Sequence, residues 1–217
     1  MTMASTVDDG NRRRALGAAL ALGFTIACSP PAHLVAQAAP DTLPTGFGSL
    51  RRDEIVLRFT TGQVQLQILP LDEQVIRLLA PDTYRSLAQL IESRRADIAD
   101  AAQRAGLSSY SLVLVTFYAL VPGARLTPDD VQIQTGGRQL RPQGIVPLSP
   151  TWNTLQLDQK QQAVAIYLYV GGVSWFEDLS ASYQGLAGSW SRSVRLLQEE
   201  RARVQARAQS QPNLPNP

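Results

Sequence analysis

Ala163-Val164-Ala165-Ile166-Tyr167-Leu168-Tyr169-Val170 is the stretch on which the fold turns. Its side chains alternate at period two, the mark of a strand. Val164, Ile166, Leu168 and Val170 make an aliphatic face, and Ala163, Ala165, Tyr167 and Tyr169 make the other. Small residues beside two phenols seat a helix or leave an aromatic platform for sugar rings. Two amphipathic helices elsewhere in the chain each need a sheet face to cover, so a helix on the Tyr167 and Tyr169 face is the expectation.

Working outward, Gly171-Gly172 marks a turn before a short strand at Val173 to Phe176, and Ala181 to Tyr183 reads as another. Upstream, Leu112 to Leu120 is a long apolar run closed by Val121-Pro122-Gly123 and reads as a central strand. Asp130 to Thr135 and Arg138 to Leu140 flank Gly136-Gly137, a two-residue hairpin signal. Further short strands are expected at Ile145 to Leu148 and Leu155 to Leu157. Short strands punctuated by frequent turns predict an antiparallel sandwich or barrel. The segment Ser111–Tyr183 resembles the immunoglobulin-like sandwiches of bacterial extracytoplasmic proteins over about a third of the chain, a likeness of pattern that carries no site residue across.

Before this region, Ile55 to Phe59 and Val64 to Leu69 alternate around Thr61-Gly62 and predict a hairpin. Val75 to Leu79 fits either a third strand or a short helix. A long helix is expected from Asp82, read as its N-cap, to Gly106, its stop. Tyr84, Leu87, Ile91, Ile98, Ala102 and Ala105 form its apolar face, with Arg85, Glu92, Arg95, Asp100 and Arg104 opposite. At the other end, Ser189 or Ser191 caps a helix whose stripe is Trp190, Val194, Leu197 and Val204, with Arg195–Glu199 and Glu199–Arg203 as exposed pairs. The fold class read from sequence is therefore α+β: a hairpin and one long amphipathic helix, a sandwich-like, immunoglobulin-like antiparallel sheet and a C-terminal helix. Its organisation is a signal peptide at 1–38, a linker at 39–48, one domain at 49–208 and a disordered tail at 209–217. Within the domain, hairpin and helix occupy 49–106, the β-rich part 107–185 and the last helix 189–208.

The first 38 residues fix the compartment. Arg12, Arg13 and Arg14 precede a 14-residue apolar run, Ala15 to Cys28, too short for the roughly 20 residues of a membrane span and suited to an export signal. Ala36 and Ala38 supply the small-residue pattern of a signal peptidase site, so cleavage is expected after Ala38. Cys28 offers the alternative, lipidation at a lipobox-like site, although Thr25 stands where an aliphatic residue is usual. The expected location is periplasmic or extracellular, with membrane attachment only if Cys28 is lipidated. Cleavage leaves 179 of the 217 residues and removes the only cysteine and the only histidine, Cys28 and His33. Thiolate nucleophiles, imidazole bases and His/Cys metal sites then leave the list of available chemistry, and no cofactor or metal is expected.

The remainder carries 17 basic and 16 acidic residues, with no surplus of the size that nucleic-acid binding requires. Carboxylate chemistry has two candidate pairs, Asp129-Asp130 and Glu177-Asp178, both adjacent to turns and more simply read as turn caps. Asp129, Asp130 and Asp158 lack the spacing of a calcium loop. Tyr167, Tyr169 and Trp175 are the candidate ligand-binding residues; Trp152 and Phe176 pose the same choice between core and exposed patch. The expected function is a non-catalytic interaction or structural module of the bacterial envelope with an unidentified envelope protein as partner. The alternatives are a carbohydrate or small-ligand binder using exposed aromatics and, behind it, a hydrolase working with carboxylates alone.

Overall fold

A computed structural model describes residues 43–210. The expected signal peptide with Cys28, Ala36 and Ala38 lies outside the described residues, as does the tail from 211. In chain order the elements are α1 (Arg52–Ile55), β1 (Leu57–Thr60), β2 (Val64–Pro70), α2 (Glu73–Ile76), α3 (Pro81–Ser93), α4 (Arg95–Arg104), β3 (Tyr110–Ala119), β4 (Ala124–Arg125), β5 (Gln132–Thr135), β6 (Arg138–Leu140), β7 (Gly144–Pro147), β8 (Gln156–Leu157), β9 (Gln162–Val170), β10 (Leu179–Tyr183), β11 (Leu186–Ser189) and α5 (Ser191–Ser210). Short 3-10 turns lie at Pro128–Asp130 and Pro150–Thr154.

The strands form a five-stranded sheet of order β1-β2-β3-β9-β7, a four-stranded sheet of order β11-β10-β5-β6 and a small β4-β8 ladder, all antiparallel. Both larger sheets are open. Their order does not define an immunoglobulin fold: β1, β2 and β3 lie side by side, but α2, α3 and α4 intervene in the chain between β2 and β3, and helices cover one face of the larger sheet. The edge strand β7 contains Pro147, which has no N–H to offer a further strand.

β3 and β9 form the centre, with Leu112 opposite Leu168, Leu114 opposite Ile166 and Val113 opposite Tyr167. Directly opposed residues share a face. The helices lie on the aliphatic face: a Cβ placed on Gly144 of β7 would stand 3.5 Å from the Ala101 Cβ of α4 and 3.6 Å from the Leu168 Cβ. The tyrosine face is covered by the four-stranded sheet and the turns leading into it, where the expectation had placed a helix. Tyr169 Oη donates to the carbonyl of Val131 at 3.0 Å, and Tyr167 Oη donates to the carbonyl of Pro128 at 3.2 Å. The rings of Phe117 and Tyr183 meet edge-on at 5.4 Å, and Trp152 stands edge-on to Tyr167 at 6.0 Å. A buried phenol needs an acceptor, and backbone carbonyls leading into β5 supply it; the Pro128 carbonyl accepts from Val131 N–H at 3.3 Å as well as from Tyr167.

Three local differences have identifiable causes. The long helix is two, broken at Arg94, where φ is −111°. Ser93 Oγ donates back to the Leu90 carbonyl at 2.8 Å, a contact that competes with helical hydrogen bonding and bends helices. Asp82 lies inside α3 beside Arg85, while Ala80 caps it and Pro81 occupies its first turn. Residues 173–176 form a turn, not a strand: Trp190 Nε1 donates to the Trp175 carbonyl at 3.0 Å and the two indoles pack edge-on at 5.7 Å.

The segment expected as a linker packs from Leu43 onward. Leu43 and Leu50 are buried, Leu50 N–H donates to the Leu78 carbonyl at 3.1 Å, and Ala80 N–H donates to the Leu50 carbonyl at 2.9 Å. Gly48 passes so close to the backbone of Leu78 that a Cβ would come within 2.4 Å of its carbonyl carbon. This strap is joined to α5 by Glu200, whose side chain is 0% exposed. Its Oε1 accepts from Ser49 N–H at 2.9 Å, Ser49 Oγ at 2.8 Å and Arg207 Nη1 at 2.9 Å. Arg207 also donates to the Phe47 carbonyl. Desolvation pushes the Glu200 carboxyl upward, but the Ser49 and Arg207 hydrogen bonds outweigh it and hold the group below the ordinary glutamate value.

Replacing Glu200 with Ala leaves the Ser49 donors unmatched and Arg207 without its partner, an expected loss of about 3 kcal/mol in urea denaturation at pH 7. The pH dependence has a fixed sign. Because the folded carboxyl titrates below the unfolded value of about 4.3, its contribution is complete above that value and is lost as pH falls through the folded one. The stability gap between wild type and Glu200→Gln should therefore narrow on acidification below about pH 4.

Candidate interaction surface

The three aromatic residues singled out from sequence are interior. Tyr167 and Tyr169 are each 0% exposed and Trp175 is 2% exposed, so none offers a ring face to a sugar. Burial raises both phenols above the ordinary tyrosine range; Tyr169, Tyr183 and Asp129 add to the effect at Tyr167. The first two belong to the contact between sheets, and Trp175 belongs to the turn packed on Trp190. Trp152 is buried against Phe117 and Tyr167, while Phe176 receives the Arg201 guanidinium 5.2 Å from its ring centroid.

The acidic pairs do not face each other. Asp129 and Asp130 precede the start of β5, Glu177 and Asp178 precede the start of β10, and these strands run antiparallel with Gln132 opposite Ser182 and Thr135 opposite Leu179. The pairs therefore lie at opposite ends of one ladder, and no carboxylate couple spans a cleft between them. Asp158 sits in the turn before β9, and among the described residues no three His, Cys, Asp or Glu side chains gather to hold a metal ion.

The most unusual backbone in the molecule collects at one end of the sheets. Leu155, Lys160 and Gln184 are the non-glycine described residues with positive φ, at 50°, 69° and 49°. All three lie in loops at the end where β1 finishes, β2 begins, β3 finishes and β9 begins. Left-handed backbone costs a side-chain-bearing residue roughly 1–2 kcal/mol. Gln184-Gly185 forms the same two-residue turn, both φ positive, that Gly136-Gly137 forms at the far end without a side chain to strain.

Hydrogen bonds hold these loops to one another. Gln184 Nε2 donates to Thr127 Oγ1 at 2.8 Å, and Thr127 N–H donates to Tyr183 Oη at 3.3 Å. Leu126 N–H donates to the Leu155 carbonyl at 2.9 Å, with β4 and β8 paired beside it. Arg125 N–H donates to Gln63 Oε1 at 3.3 Å, Gln159 Nε2 to the Leu120 carbonyl at 3.1 Å and Asp158 N–H to Gln161 Oε1 at 3.0 Å. Each glutamine uses part of its amide inside the protein. The result is a continuous rim running from 184–186 through 126–127 and 155 to 120–121 and 159–160.

Val121, Leu155 and Leu186 stand on this rim at 37%, 43% and 43% exposure, three of the five large hydrophobic side chains that are exposed among the described residues. Lys160, the only lysine in the chain, stands with them. Sequence reading missed the rim because it treated Val121 as a turn residue and Leu155 as a strand residue and left 184–186 unread. The available signal was glutamine density in turns, at Gln63, Gln156, Gln159, Gln161 and Gln184, where glycine, asparagine or aspartate is usual.

No family model, curated protein or solved structure matches this chain.

Two measurements check this geometry. Glycine at 155 or 160 should raise stability by roughly 0.5–1 kcal/mol each, because glycine adopts positive φ without a Cβ clash; a loss at either places that residue outside the left-handed region. In an alkaline absorbance titration of the native protein, Tyr167 and Tyr169 should stay protonated until the chain unfolds, so two of the six tyrosines ionise only with the unfolding transition.

Proposed function

We propose that this protein is an exported, non-catalytic interaction module of the bacterial envelope and that the rim of loops around Val121, Leu155 and Leu186 is where its protein partner docks. The observation that carries the reading is the coincidence of strain and exposure. Three side-chain-bearing residues hold left-handed backbone, and exposed apolar side chains stand on the same loops, fastened by side-chain hydrogen bonds. Strain of this kind persists where surrounding structure enforces it and clusters at functional sites. A rim ordered before binding loses little entropy when a partner settles on it, and apolar tips amid polar groups match the anatomy of a protein interface.

The two sheets serve in this reading as a sandwich-like platform that carries the loops, supported by the Tyr167, Tyr169 and Phe117 contacts between their facing sides. Export rests on the cationic and apolar segment ahead of Ala38, and a non-catalytic role on the loss of His33 and Cys28 with it. Lipidation at Cys28 is the alternative attachment. The near-neutral charge suits a protein partner better than a nucleic acid.

The test is site-specific photocrosslinking in fractionated native cells. Probes at Leu155 and Leu186 should capture one defined partner, a probe at Asp100 on α4 should capture none, and purified wild type but not a Leu155→Asp/Leu186→Asp variant should compete for it. Equal capture from Asp100, or equal competition by the variant, removes the rim from the interface. In the same fractions an intact mass starting at Ala39 is expected for the exported chain; an unprocessed Met1 in the cytosol overturns export.

A further inference from the structure

On the helix-bearing side of the five-stranded sheet, α1, α3 and β3 meet around a trough of about 370 Å³ lined by Arg52, Ser86, Gln89, Leu90, Ser93 and Leu114, together with Leu87. The strand register carries the same face beyond Leu114 to Thr116 and its neighbour Gln67, with Arg58 of β1 opposite Gln67. One end of the trough is therefore cationic, its wall carries hydroxyls and an amide, and its floor turns from apolar to polar.

The pairing of charges around it is uneven. Both acids of α1 turn to Arg51, whose Nε lies 3.7 Å from Asp53 Oδ1 and 4.0 Å from Glu54 Oε2. The arginines of α3 and α4 are paired as well, Arg85 with Asp82, Arg95 with Glu92 and Arg104 with Asp100. Arg52 and Arg58 have no carboxylate partner among the described residues. Arg58 Nη1 instead donates to the Asp53 backbone carbonyl at 3.2 Å, which fixes its direction without neutralising it. Burial of Arg52, and then repulsion from Arg58, lower the Arg52 guanidinium from its ordinary value. Arg52 lines the trough, and Arg58 stands on the same sheet face beside α1, at its rim; two like charges so placed are lowered in energy by an anion between them.

We propose that this trough binds a phosphate group, held by Arg52 and Arg58, with neighbouring hydroxyls of its carrier reaching Ser86, Gln89 and Ser93. Two guanidiniums match a dianionic phosphoryl group in charge, and their planar donor sets match its oxygens; a carboxylate would leave one cation unmatched. The site is separate from the loop rim and does not depend on the interaction reading.

The same phosphate chemistry comes from a free small molecule or from a lipid headgroup, and the experiment distinguishes them. Amide resonances of the full chain after Ala38 are followed by NMR during titration with inorganic phosphate, with glycerol 3-phosphate, and with phosphatidylcholine vesicles with and without phosphatidic acid. Saturable shifts confined to residues 52–58, 86–93 and 114–116 are expected, with glycerol 3-phosphate binding more tightly than phosphate. The exposed pair Arg52→Gln/Arg58→Gln, checked for an unchanged circular dichroism spectrum, should weaken binding at least about tenfold. Saturation only by phosphatidic acid vesicles, lost in the same variant, supports the site and assigns its phosphate to a membrane lipid. The proposal is overturned if neither phosphate compounds nor vesicles give a saturable shift, or if the double variant binds as wild type does.

Discussion

Two phenol hydroxyls bonded to backbone carbonyls set the arrangement of the sheets. Tyr167 and Tyr169 project from β9 toward the second sheet and donate to the carbonyls of Pro128 and Val131, the residues that lead into β5. A buried hydroxyl without an acceptor costs roughly 1–3 kcal/mol, so the two donors admit few alternative positions for that sheet. Around them, Ala163 and Ala165 leave the space that Phe117 and Trp152 fill. The strand that looked like the seat of a helix faces the second sheet instead, its two tyrosines bonded to the carbonyls that lead into β5.

A second constraint joins the ends of the domain. Glu200 reaches from α5 to Ser49, 151 positions away, and ties the strap to the last helix. An apolar residue at 200 would bury as easily, but it would leave Ser49 N–H without its acceptor and the Arg207 guanidinium without its carboxylate at a place where Gly48 already holds the strap against Leu78. The buried carboxylate accepts from donors on both elements, and its lowered titration makes the ionised form stabilising at neutral pH.

How much of this was legible in the sequence depended on whether the signal was local. Period two placed β9, a continuous apolar run closed by a turn placed β3, a glycine pair placed the β5–β6 hairpin, and the stripe from Trp190 to Val204 placed α5. Glu200 was visible only as a polar residue at a position where that stripe calls for an apolar one, between Leu197 and Val204. What period two does not encode is which neighbour covers a face, and the helix expected on Tyr167 and Tyr169 failed there. The break at Arg94 arose from a serine back-bond with no glycine or proline to announce it. Trp175 read as a strand residue because its neighbours are apolar; its actual partner, Trp190, is a long-range contact. The rim and the arginine trough were invisible for the same reason: each is assembled from loops or elements distant in sequence, and neither has a local motif.

The rim and the trough illustrate two ways in which a fold can hold energy at its surface. At the rim the unfavourable term is conformational, left-handed backbone at Leu155, Lys160 and Gln184, and it is kept because hydrogen bonds to Leu126, Thr127 and the neighbouring loops over-determine the chain. At the trough it is electrostatic, Arg52 beside Arg58, and it is kept because the nearby acids are committed to Arg51. Each would be simple to relieve locally, with glycine in the first case and a single carboxylate in the second. Both sites lie where the sheets supply rigid support, the rim at their loop end and the trough against β2 and β3. A flexible support would let the loops relax or the arginines swing apart, and the stored energy would dissipate into solvent. The tyrosine-bonded sheets are the support on which both features stand.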